Sequence, residues 1–135
     1  MPGSGRRFLD SNILLYTVAG PDEKFRTAQK IVTEGGVISV QVLNEFTTVS
    51  RRKFKLSWRE TRDLLGKIEK LLEIVPLTTQ THATALNFAE RYNLAFYDAV
   101  IAAAAHLANC TILYSEDMHD GLQITPGLRL QNPFT

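Results

Sequence analysis

Short apolar runs at RFLD (7–10), VISV (37–40) and TILY (111–114) are separated by long stretches of helical period, and this alternation restricts the fold more than any other feature. Strands so far apart cannot be joined by tight hairpins. They need helical crossovers, which lay the strands parallel and cover both faces of the sheet. The α/β class follows, with a mainly parallel sheet between helices.

The helical stretches carry their own punctuation. Pro21-Asp22-Glu23 reads as a helix start, Phe25, Ala28, Ile31 and Val32 recur at helical spacing, and Gly35-Gly36 reads as the stop. Ser39 is placed to cap a helix from about Gln41 that carries Val42, Leu43, Phe46 and Val49. Ser57 is placed to cap another over Trp58 to Leu72, interrupted by Gly66. Ile74 to Leu77 reads as an extended edge segment because of Pro76. A helix pair over 79–92 and 96–107 precedes the strand at 111–114, then a loop, then a strand at 128–130. The run ILLY after the first strand reads as a turn or a short helical piece. A chain of 135 residues suits a single domain over 1–135.

Cys110 is alone, so it can form neither an internal disulfide nor a CxxC metal site, and it reads as a small buried hydrophobe in a reducing compartment. The opening MPGSGRR is polar, and the apolar run VIAAAAHLA at 100–108 is too short to span a bilayer. A cytoplasmic protein without a membrane segment is expected. Charge is uneven: residues 51–70 hold eight Lys/Arg against three acids, and the rest of the chain holds seven against eleven. A basic region beside a separate acidic one fits a polyanion landing near a metal site, and equally a solvated helix.

Three acids stand where the pattern predicts apolar or neutral residues, and a fourth follows a strand. Asp10 ends the first strand, Glu45 lies inside VLNEFTTV, Asp98 opens the apolar helix FYDAVIAAAA, and Asp117 follows the strand TILYS. In a parallel sheet the carboxyl ends of strands and the starts of the following helices share one rim, where ligands bind. All four acids can reach it. Gathered there, they stay ionised together only if a cation neutralises them, and oxygen ligands without cysteine or clustered histidine suit magnesium or manganese. Such an ion acidifies a bound water and stabilises charge on a phosphodiester. Each acid also has a simpler reading: Asp10 as a turn or cap residue, Glu45 as a solvent-facing side chain, Asp98 as a helix N-terminal acid. Glu116 and Asp120 compete with Asp117.

These residues resemble the PIN-domain family, and within it the toxin ribonucleases of type II toxin–antitoxin pairs. The resemblance runs from FLDSNILLY (8–16) to LQNPF (130–134). The family's opening acid followed by Ser/Thr and Asn matches Asp10-Ser11-Asn12. Its helical glutamate matches Glu45, its third acid before a small apolar helix matches Asp98, and its Ser/Thr-x-Asp pattern matches Ser115-Glu116-Asp117. The resemblance implies a three-layer α/β/α sandwich and a Mg2+- or Mn2+-dependent endoribonuclease. Asp10, Glu45 and Asp98 would hold metal, and Asp117 would bind through water or assist a second ion. Ser11, Asn12, Ser115 and Glu116 would support the acids. It also implies a homodimer and an antitoxin partner whose C-terminal segment covers the groove. Arg51, Arg52, Lys53 and Lys55 then become candidates to hold RNA phosphates. Trp58 and Phe54 read as packing residues in a core or dimer, with base stacking as the alternative.

Other readings remain open. A DNA-directed or structure-specific nuclease would use the same acids. A non-catalytic nucleic-acid-binding regulatory module would keep the fold. An aspartate-nucleophile phosphatase of the haloacid-dehalogenase type needs a second aspartate where Asn12 stands. His82, His106 and His119 are too scattered to support histidine-based acid catalysis.

Overall fold

A computed structural model describes residues 5–135; the first four residues of the polar MPGSGRR opening lie outside the described part, and with them the start of the expected 1–135 domain. The elements run β1 (Arg6–Leu9), α1 (Ser11–Ala19), α2 (Asp22–Glu34), β2 (Val37–Ser39), α3 (Val40–Arg52), α4 (Trp58–Leu71), β3 (Glu73–Val75), α5 (Thr79–Tyr92), α6 (Phe96–Leu107), β4 (Cys110–Tyr114), β5 (Gln123–Thr125) and β6 (Leu128–Gln131). The six strands form one sheet in the order β3-β2-β1-β4-β6-β5. Every pairing is parallel except that of β5 with β6. Helices flank the sheet, giving a three-layer α/β/α sandwich.

The crossovers go one way from β1 to β2 and β3, and the other way to β4 and β6. The strand order therefore reverses at β1, and a crevice opens between the ends of β1 and β4. Central strands are shut off from water on both faces: Phe8, Leu9, Val37, Ile38 and Leu113 are buried. Against them α6 lays an unbroken buried run from Ala99 to Ala105, whose small side chains let the sheet and α5 approach closely. Cys110 is buried at the start of β4, where desolvation lifts its thiol to about 11.

Capping follows the residues expected. The Ser39 side chain accepts from Val42 N, and Ser57 forms a reciprocal capping box with Glu60. Two elements differ from expectation. The piece after β1 is a full nine-residue helix, α1. The supposed loop before β6 contains β5, a short antiparallel strand turned at Pro126-Gly127. Among the described residues no helix is long and apolar enough to cross a membrane.

Candidate active site

Asp10 leaves β1 and becomes the N-cap of α1, its Oδ1 accepting from Ser11 N at 2.7 Å. Only 3% of Asp10 is exposed. Its backbone N donates to Tyr114 O, which fixes it beside the end of β4. There Ser115, also buried, donates Oγ–H to Asp10 Oδ2 at 2.7 Å. The same hydroxyl oxygen accepts from the backbone N–H groups of Asp117 and Met118, so Ser115 shapes the turn that carries Asp117.

Glu45 reaches the crevice from the second turn of α3. Its Oε1 accepts from Ser11 Oγ at 2.8 Å and its Oε2 from Gln41 Nε2 at 3.2 Å. Asn12 spans the remaining gap: Nδ2 donates to Asp117 Oδ2 at 3.1 Å and to Asp10 Oδ2 at 3.4 Å, while Oδ1 accepts from Glu116 N. Asp98, half-buried in the first turn of α6, faces the same cluster.

The electrostatics are those of concentrated negative charge. Burial, opposed by hydrogen bonds from Ser115 and Ser11 and reinforced by Glu45 and Asp98, lifts the Asp10 carboxyl to about 7. Burial, followed by repulsion from Glu45 and Asp117, pushes Asp98 up as well. Among the described residues, the ion pairs are Arg6–Glu73, Arg7–Glu34 and Lys24–Glu116, so none of the four acids has a cationic partner. No three His, Cys, Asp or Glu side chains among the described residues are drawn together tightly enough to grip an ion as they stand. The hydroxyl of Ser11 and the amide of Asn12 lie between the carboxylates and hold them in register. All-oxygen ligands with uncompensated charge still fit a hard divalent cation better than a soft one.

A groove of about 420 Å³ opens at this cluster, with Glu45, Asp117, Ser11, Asn12 and the exposed Tyr97 along it. Glu116 does not join the acids through its side chain. Its carboxylate accepts from Tyr16 Oη and Lys24 Nζ, and only its backbone supports Asn12. The basic residues divide too. Arg51 stacks 4.1 Å from the centroid of the Trp58 ring and donates to Leu56 O, whereas Arg52, Lys53 and Lys55 are exposed. Trp58 is 58% exposed, contrary to a core position. His106 packs edge-on against Phe88 and His82 against Phe96, while His119 is exposed. Tyr97 and Gln41 were missed in the sequence; their spacing from Asp98 and Glu45 was the available signal.

Several solved structures share this architecture. A chain of a toxin–antitoxin complex from Klebsiella pneumoniae is 22% identical, with 90% of this chain and 94% of that one covered at a TM-score of 0.67. A chain of the DNA-bound VapBC from Salmonella typhimurium is 19% identical, with coverage of 95% and 98% and a TM-score of 0.69. VapC20 from Mycobacterium tuberculosis, described as a sarcin-ricin loop cleaving toxin, is 17% identical over 82% and 89% at 0.67. Among curated protein sequences, none matches the chain. The family described as PIN domain matches residues 7–119, a span from the middle of β1 to just past Asp117 that takes in all four acids, and the chain belongs to that family.

Proposed function

We propose that the protein is a Mg2+- or Mn2+-dependent endoribonuclease acting as the toxin of a toxin–antitoxin pair. The observation that carries this reading is a set of four carboxylates at the switch-point crevice without a cationic side chain among the described residues to neutralise them. Asp10, Glu45 and Asp98 would hold the ion, and Asp117 would bind it through water or steady a second one. A bound ion would supply counter-charge to the phosphodiester and an acidified attacking water.

The remaining work falls to the chain's own groups. Ser115 and the Ser11 amide fix the orientation of Asp10, and the Ser11 hydroxyl fixes Glu45. Asn12 keeps Asp117 at a set distance from Asp10. Arg52 at the end of α3 and Lys53 and Lys55 just beyond it are free to meet phosphates, while Arg51 is committed to Trp58 and Leu56. The likeness to chains of solved toxin–antitoxin complexes supports an antitoxin partner. In this reading a C-terminal segment of the antitoxin covers the groove, and the PIN domain works as a homodimer in the cytoplasm.

The test is incubation of total cellular RNA with purified protein in magnesium, in manganese and in EDTA, beside Asp98→Asn. Discrete metal-dependent cuts that vanish in the variant are expected. Cutting of DNA alone would redirect the reading to a DNA nuclease, and absence of cutting with retained RNA binding would redirect it to a regulatory module.

A further inference from the structure

Beside the acid groove lies a second cavity of about 250 Å³, and the two share a wall of Asn12, Leu15, Val49 and Asp117. Tyr16, Phe54, Lys53 and Glu116 close the far side. The volume falls below the roughly 300–1,000 Å³ of sites for drug-sized ligands, which suits one planar ring system. Phe54, Leu15 and Val49 supply apolar faces.

The polar edge of the cavity is one-sided. Tyr16 Oη donates its proton to Glu116, and Lys24 binds the same carboxylate. The Asn12 amide donates to Asp10 and Asp117, and its Oδ1 takes the Glu116 N–H. These donors are already engaged. What remains toward the cavity is the spare lone pairs of the Glu116 and Asp117 carboxylates, which accept only. Lys53 stands at the mouth, its Nζ 5.9 Å from the Phe54 ring and its side chain in solvent. An acceptor-lined slot with an aromatic wall and a cation at its rim matches an unstacked base with amino hydrogens, joined to a phosphate.

We propose that this cavity receives one unstacked base bearing an exocyclic amine, adenine or cytosine in preference to uracil, from the RNA strand whose phosphate lies at the acids. This rests on the nuclease reading of the adjoining groove. Phe54 lies against the base, Glu116 accepts from its amine, and Lys53 meets the neighbouring phosphate.

The test is fluorescence anisotropy with labelled A10, C10 and U10 RNA, using calcium in place of magnesium so that strands are held without being cut. The wild-type protein is expected to bind A10 and C10 about tenfold more tightly than U10. Glu116→Gln keeps one acceptor oxygen for either Tyr16 or Lys24, which in the wild type bond separate carboxylate oxygens, and places a donating amide nitrogen at the other position; it should narrow that ratio to below about threefold. Phe54→Leu should weaken A10 and C10 by about fivefold or more and U10 less. Lys53→Ala should weaken all three alike and reduce the salt dependence by about one phosphate contact. Should Phe54→Leu fold poorly, as read by its melting curve, the Glu116→Gln ratio decides alone. Equal wild-type affinities, or ratios unchanged in Glu116→Gln, would overturn the proposal and leave the cavity to a side chain of a protein partner. Metal-dependent cutting of total RNA in a parallel assay would then leave the nuclease reading standing. Neither binding nor cutting would sink both.

Discussion

Ser115 donates to the buried carboxylate of Asp10 from 105 positions further along the chain, and the two residues directly follow neighbouring parallel strands. Ser115 also accepts from two backbone N–H groups of the turn bearing Asp117. Its replacement by alanine removes one donor and one acceptor from a buried place. Ser115→Ala should destabilise the fold by about 1–3 kcal/mol and weaken manganese binding by roughly 10–100-fold, as loss of a partner behind a metal ligand does. Urea denaturation and isothermal titration measure the two effects separately.

Asp10 ties stability to pH. Its folded carboxyl stands at about 7 against an ordinary 3.8, so between those values the native state holds a proton that the unfolded chain has released. Stability of the metal-free protein must then fall as pH rises through that window, by an amount on the order of 4 kcal/mol if this group acted alone. Below the window the penalty is absent; above it the penalty is complete. Asp10→Asn should lose this pH slope and melt higher than the wild type at pH 8 in EDTA. A wild-type slope retained by the variant would assign the effect to other groups.

Adding manganese should raise the melting temperature at pH 8 and do little at pH 5, where Asp10 is protonated and Asp98, also pushed upward, binds protons more readily than usual. At a hundredfold excess over the dissociation constant the gain is about 2.7 kcal/mol. EDTA should reverse it. Asp98→Asn should abolish the shift together with RNA cleavage while keeping the native circular dichroism spectrum, because no hydrogen bond among the described residues relies on its carboxylate.

Gly66 sits within α4, and a Cβ built there meets nothing within 4 Å. Gly66→Ala should therefore stabilise the protein by about 1 kcal/mol, through helix propensity and a less flexible unfolded chain, with cleavage unchanged. Chemical denaturation reads this directly, and a loss of stability would mean that α4 meets a partner surface at that point.

The parallel sheet and the meeting of the acids were legible because both follow from where residues stand along the chain. A strand-terminal Asp10, an Asp98 opening a helix and an Asp117 just past a strand can share only one rim in such a topology. The full length of α1 was hidden because SNILLYTVA is apolar on nearly every face, so it has little helical periodicity to read. The strand β5 is three residues long and held by its neighbour β6 more than by its own composition. The divergence of Glu116 from Asp117 depends on Lys24 and Tyr16 arriving from other elements, and the Arg51–Trp58 stack on the path of the loop after α3. Contacts of that kind leave no local signature.

The reversal of strand order at β1 has a consequence for synthesis on the ribosome. A nascent chain that has emerged through α6 already carries Asp10, Glu45 and Asp98, yet β1 still lacks the neighbour on its β4 side. Ser115 and Asp117 arrive only as β4 leaves the tunnel and inserts beside β1. Truncated products ending before residue 115 therefore lack the assembled crevice, and the cell meets the complete site only in chains that extend past Asp117.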